Sequence, residues 1–296
     1  MSRLALVFAL VFSSAVASAQ PPPGPPVHVE RRSVELEGGV LARIATRWTP
    51  EASTSGTSLS LGDAASTVLV HGASAAAIER GERVALVAYE AYGDGAPFRV
   101  RAIQNGALQP ERSLSRPGSR AGDVPFAVAI APMPGQGFAV FFEEVQADDP
   151  TATRTYLFQL DLDGAPLDAG RELSIPWPIA AAAWNGHGYH LAVIYPGSGT
   201  GMRLSMVSLS VDGTNQQHPD WSSAAGFVAD VHLVAVGDEI HVAYRFGDHW
   251  RQSDVTHVRS WGTEPPAAPD HGTLGPDDTI AVDSAGHVRR VASRPD

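Results

Sequence analysis

The chain has 296 residues, 44% apolar and 18% charged, with 29 Gly and 23 Pro, which places it among globular proteins with room for one large core or two small ones. Its 21 basic residues, all Arg, stand against 32 acidic ones for a net charge of −11, a balance that repels phosphate backbones and anionic lipid headgroups and argues against general nucleic-acid or membrane-surface binding. There is no Cys, which excludes disulfides, thiolate zinc sites and a thiol nucleophile, and the lack of Lys excludes a GxxxxGK phosphate loop.

The first residues, MSRLALVFALVFSSAVASAQ, have a positive start at Arg3, an apolar run from Leu4 to Phe12 and a small-x-small site at Ala17-Ser18-Ala19. This pattern predicts a signal peptide over 1–19, cleaved between Ala19 and Gln20. The apolar run is about half of the roughly 20 residues that a spanning helix needs, so no membrane insertion is expected after cleavage. Residues 20–27 read as a Pro-rich linker, stiff in polyproline II, ahead of a single domain over 28–296. The expected destination is the periplasm or the cell exterior.

Five later segments align with one another: 74–88 (SAAAIERGERVALVA), 126–140 (FAVAIAPMPGQGFAV), 179–193 (IAAAAWNGHGYHLAV), 228–244 (VADVHLVAVGDEIHVAY) and 279–292 (TIAVDSAGHVRRVA). Each is an apolar run, a polar turn with Gly, and a second apolar run. Val84, Phe138, Tyr189, Ile240 and Val288 serve as equivalent points, spaced 54, 51, 51 and 48 residues apart. Such a period suits a unit of four short strands, about 40 to 50 residues with turns. A third run follows in four of the copies, ending at Asn105-Gly106, Asp163-Gly164, Asp212-Gly213 or Trp261-Gly262. Asn-Gly and Asp-Gly favour the positive φ of a hairpin turn, so each chain segment is expected to fold back into a fourth strand.

Runs such as Phe138 to Phe142 are apolar on both faces, as in strands packed between neighbouring sheets. Copies of this kind bury both faces by packing in a ring. The expected fold class is therefore all-β, a β-propeller of four-stranded blades. Five blades are favoured and six are the alternative. The last copy has only two strands, so the region from Val27 to Val70 is expected to close the last blade.

The segment Ala183-Trp184-Asn185-Gly186, with Gly188-Tyr189 and then Val211-Asp212-Gly213, resembles the blade repeats of secreted bacterial β-propeller proteins. Those relatives carry an A-W-N-G-x-x-Y hairpin and a D-G hairpin in each blade. The resemblance covers about 74–293 and implies a fold rather than an activity.

In propellers, ligands meet the face made by the loop after the second strand and the loop joining one blade to the next. Three such loops here hold Trp177, then His218, Asp220 and Trp221, then Asp248, His249, Trp250 and Arg251. On one rim, these indoles, imidazoles, carboxylates and the guanidinium would suit a sugar or another polar organic ligand. The structural alternative is that Trp177 and Trp221 plug gaps between blades. Glu90 and Glu144 both lie six positions past their aligned points and are the candidate carboxylate pair of a glycosidase. The S-x-D-x-G-x-T-W turns typical of sialidases are absent, as is any G-x-S-x-G nucleophile motif.

No metal site or cofactor is expected. His187 and His190 point to opposite faces of a strand, and His232 with His241 lacks a third ligand. The reading is an exported, monomeric binding or scaffolding module for an unknown protein or polysaccharide. Its alternative is a carbohydrate-active hydrolase.

Overall fold

The computed structural model describes residues 28–48, 55–72, 74–91, 97–115, 123–149, 152–175, 177–196, 201–217, 226–237, 239–249, 252–258, 273–274, 279–282, 285 and 287–291. The expected signal peptide and linker, and the turn at Trp261-Gly262, lie outside them.

Among the described residues the chain makes consecutive antiparallel sheets. Sheet I holds β1 (His28–Glu35), β2 (Leu41–Trp48), β3 (Gly56–Leu61) and β4 (Thr67–His71). Sheet II holds β5 (Ser74–Arg80), β6 (Val84–Ala91) and β7 (Phe98–Gln104), with β8 (Ala107–Leu108) and β9 (Arg112–Leu114) sharing its outer edge. Sheet III holds β10 (Val124–Met133), β11 (Gly137–Val145), β12 (Thr153–Leu160) and β13 (Arg171–Leu173). Sheet IV holds β14 (Ile179–Trp184), β15 (Gly188–Pro196), β16 (Met202–Ser210) and β17 (Asn215–Gln217). Sheet V holds β18 (Phe227–Val236), β19 (Glu239–His249), β20 (Gln252–Val258) and β21 (Thr273–Leu274). Sheet VI pairs β22 (Thr279–Val282) with β23 (Val288–Val291).

The five aligned segments form the first hairpin of sheets II to VI. The first strands of the sheets lie side by side around a ring, in the order β1, β5, β10, β14, β18, β22 and back to β1. This is the all-β propeller that the periodicity predicts.

The ends meet differently from the expected split blade. Strands β1 to β4 hydrogen-bond to one another as a complete sheet, and β1 packs beside β22 instead of supplying strands to it. The reason is local: β1 and β2 pair over their full eight residues across a tight turn, where Gly38 and Gly39 take φ of 82° and 78°. Closing so short a loop costs far less chain entropy than pairing across the whole chain.

The hairpin turns follow their sequence signals. Asn105 and Gly106 both have positive φ, 52° and 72°, and turn β7 directly into β8. At Asp212-Gly213 the aspartate accepts from the Thr214 backbone N–H and from the Ser210 hydroxyl. In the A-W-N-G segment the Asn185 side chain accepts from the N–H groups of His187 and Gly188, both at 3.0 Å, and Trp184 faces Tyr189 across the hairpin at 4.8 Å.

Burial on both sheet faces is clearest in β11, whose residues from Gly137 to Glu144 are buried without interruption. One face carries Phe138, Val140 and Phe142 against sheet II, and the other carries Ala139 and Phe141 against sheet IV. Phe98 stacks on Phe142 at 4.2 Å, with Phe158 edge-on to both. The close third strand also dictates composition: a Cβ on Gly137 would lie 2.0 Å from the Leu160 carbonyl oxygen.

Two substitutions separate these causes. Gly137→Ala combines φ of +128° with that backbone clash and is expected to lower the unfolding free energy by about 2–4 kcal/mol. Gly135→Ala, at φ of +69° with nothing near the added methyl, is expected to cost only about 1 kcal/mol. Denaturant titration of both variants measures the difference, and equal losses would refute the steric account.

Candidate active site

Six first strands around one axis bring side chains from distant parts of the sequence together. Arg32 lies on β1, and its Nη2 donates to the Ala180 carbonyl on β14 at 3.0 Å. In the ring, β14 is third from β1 in either direction, so this hydrogen bond spans the centre. Glu79 on β5 and His232 on β18 stand in the same opposed relation. Burial raises the Glu79 carboxyl above its ordinary 4.5, and the charges of His232 and Arg32 act against that shift.

His232 Nε2 lies 3.1 Å from Asp230 Oδ1, and Asp230 Oδ2 accepts from the Ile280 N–H at 2.7 Å. Both side chains are almost wholly buried. The β18–β19 register shifts between Ala229 and His232, and within this bulge Asp230 takes φ of 50°. A non-glycine residue held there carries backbone strain, and bulges re-aim side chains, here toward the Ile280 N–H of sheet VI. The centre therefore holds a carboxyl biased toward its protonated form opposite the hydrogen-bonded Asp230 and His232 side chains. This is the equipment for passing a proton one way and accepting one from the other side.

The carboxylates singled out in the sequence form a second, separate cluster. Glu90 and Glu144 face each other's sheets across the II–III seam, next to the stacked Phe98 and Phe142, and neither exposes any surface. Glu144 pairs in register with Arg154, whose guanidinium meets Asp123 at 3.4 Å and donates to Gln146 at 3.2 Å. Asp123 also accepts from the Ala147 N–H at 3.1 Å. The cluster fastens the start of β10 to the loop after β11. Glu90 and Glu144 thus both lie on strand faces turned to the II–III seam, without exposed surface.

Of the expected rim residues, Trp177 packs against the III–IV core and tilts over Tyr195 at 5.3 Å, the gap-filling role. Asp248 and His249 end β19, with their side chains outside the described residues. His218, Asp220, Trp221, Trp250 and Arg251 lie outside the described residues altogether. Among the described residues no group of three or more His, Cys, Asp or Glu is placed to hold a metal ion. His190 is held by Ser208 at 3.1 Å, and His241 lies 3.6 Å from Glu239.

Arg32, Glu79 and Asp230 were not among the residues expected from sequence. For Glu79 and Asp230 the signal was present as charges interrupting strands that are otherwise apolar, in AAAIER and VADVHLVAV, whereas Arg32 lies in the charged run HVERRSVE and gave none. Reading those charges as axial requires knowing that each first strand lines the ring.

No protein-family model matches the chain, and no curated protein matches it. Solved structures do. A PL25 ulvan lyase bound to a GlcA–Rha3S unit is 8% identical with a TM-score of 0.51, covering 84% of this chain and 71% of its own. An α-L-arabinanase from Penicillium chrysogenum is 11% identical, with a TM-score of 0.48 and coverage of 78% and 76%. An α-L-arabinofuranosidase from Clostridium thermocellum is 12% identical, with a TM-score of 0.46 and coverage of 88% and 92%. At such identities the likeness to the lyase speaks for the fold alone.

One buried carboxyl gives a stability test. Glu143, on the opposite face of β11 from Glu144, accepts from the Ile179 N–H at 2.9 Å and neighbours the Thr153 hydroxyl. Burial pushes it up to about 8 from 4.5, so the folded state holds a proton that the unfolded chain releases. Stability from this group is full below about pH 4.5 and is lost progressively up to about pH 8. Glu143→Gln, which keeps the shape without the charge, is expected to flatten this part of the thermal-midpoint profile; an unchanged slope would contradict the assignment.

Proposed function

We propose that the protein is a carbohydrate-active hydrolase that cleaves a glycosidic bond at the axial cluster. Glu79 donates a proton to the leaving oxygen, Asp230 takes the proton from the attacking water, and His232 positions Asp230. The observation that carries this reading is the placement of Glu79 and the Asp230–His232 pair on strands that face each other across the ring. Hydrolysis needs an acid and a base on opposite sides of the scissile bond, and burial biases Glu79 toward the acid. The fold neighbour bound to a uronate-containing glycan adds that this architecture accommodates extended sugars.

The non-catalytic reading, a binding or scaffolding module for a protein or polysaccharide, has one observation in its favour: the Arg32–Ala180 bond fills the centre of the ring. We also propose that the chain is exported after cleavage at Ala19–Gln20 and that it is related to secreted propellers with A-W-N-G and D-G hairpins. N-terminal sequencing of the exported protein tests the cleavage site.

The enzymatic test incubates the full mature chain with arabinans, xylans and uronate-containing polysaccharides, following new reducing ends and the ultraviolet absorbance of unsaturated uronates. Reducing ends without that absorbance are expected, with Glu79→Gln and Asp230→Asn each lowering kcat by about a hundredfold or more while remaining folded. Activity that survives both substitutions overturns the assignment, absorbance gain replaces hydrolysis with elimination, and no cleavage of any polymer returns the protein to the binding reading.

A further inference from the structure

The face of the disc where the hairpin turns of sheets I and II meet holds a crevice of about 320 Å³. Its size is near the lower end for small-molecule sites. The floor is apolar, made by the buried Leu36, Val84 and Ile103. Around it stand Arg83, Glu37 and Glu82, which no hydrogen bond or ion pair engages among the described residues. Arg80, also on the wall, is fixed across the I–II seam by donating to the Glu35 carbonyl at 3.0 Å. The turns leave the mouth open: a Cβ on Gly38 or Gly106 would meet nothing within 4 Å.

We propose that this crevice binds a small zwitterion with an aliphatic body. The apolar floor takes the hydrocarbon part. Arg83 and Arg80 take the carboxylate, and Glu37 and Glu82 take the ammonium group. A purely anionic ligand would meet two carboxylates and a purely cationic one two guanidiniums, so the mixed lining selects for a ligand that carries both signs. Glu79 of the axial cluster precedes the crevice's Arg80 on β5, but the lining includes none of Arg32, Glu79, Asp230 or His232, so the inference does not rest on the axial chemistry.

The test titrates the full mature chain with leucine, 6-aminohexanoate and the dipeptide Leu-Leu, whose charges are progressively farther apart. Glycine, isovalerate and isoamylamine are the controls, and backbone amide shifts at Gly38 and Gly106 are the readout. At least one of the three zwitterions is expected to shift these amides, each control to bind at least about tenfold more weakly, and Arg83→Ala and Glu37→Ala each to weaken the zwitterion by about tenfold. Both substitutions are at exposed positions, so thermal midpoints should stay at the wild-type value. The proposal is overturned if no zwitterion shifts the amides, if a singly charged control binds equally well, or if the variants retain wild-type affinity.

Discussion

Sheets II, III and IV bury apolar residues on both faces, and that requirement organises the rest. A strand such as β11, buried from Gly137 to Glu144, has no side to offer to water. Two stacked sheets would cover one face of each and leave the other exposed. A ring covers both, and it brings β1 beside β22 so that the first and last described sheets are also covered. The large aromatics follow: Phe98, Phe142 and Phe158 fill one seam, and Phe141, Trp184 and Tyr189 another, because seams between twisted sheets are wide and need bulk.

Ring closure also creates the polar problem at the centre. Charges at the axis lose water, and they persist only if other groups compensate them. Arg32 is held by a carbonyl from the opposite sheet, Asp230 by a backbone N–H and an imidazole, and Glu79 by shifting toward its neutral form. The seam cluster of Asp123, Arg154 and Gln146 answers the same demand by pairing with neighbours on the same sheet. The difference between the two clusters is reach. The seam is built from one sheet and its partner, whereas the axis exists only when five sheets, I, II, IV, V and VI, are all in place.

That distinction explains what was legible in the sequence. Hairpins, their turns and the period are local, so Asn105-Gly106, Asp212-Gly213 and the Trp184–Tyr189 pair could be read from residue type and spacing alone. Apolar runs on both faces pointed to sheet-on-sheet packing and hence to a ring. The way the ends join was not legible, because a two-stranded last copy fits both a shared blade and a complete N-terminal sheet. The pairing of β1 with β2 through Gly38 and Gly39 decides it. Among site residues, Glu90 and Glu144 share an offset, but an offset along a strand does not say which face is turned inward or whether the side chain is buried. Arg32, Glu79 and Asp230 sit at unequal offsets on unlike copies, and Asp230 lies in a bulge that no spacing rule anticipates.

The axial chemistry therefore stands or falls with the closed ring, and the absence of Cys makes that directly measurable without background. With one cysteine introduced in β1 and one in β22 at facing positions, neighbouring strands of packed sheets, about 10 Å apart, are within reach of a short bifunctional thiol cross-linker. The account predicts rapid intramolecular cross-linking in the native protein and its loss on unfolding. Native protein that stays uncross-linked, with both thiols accessible, would contradict it.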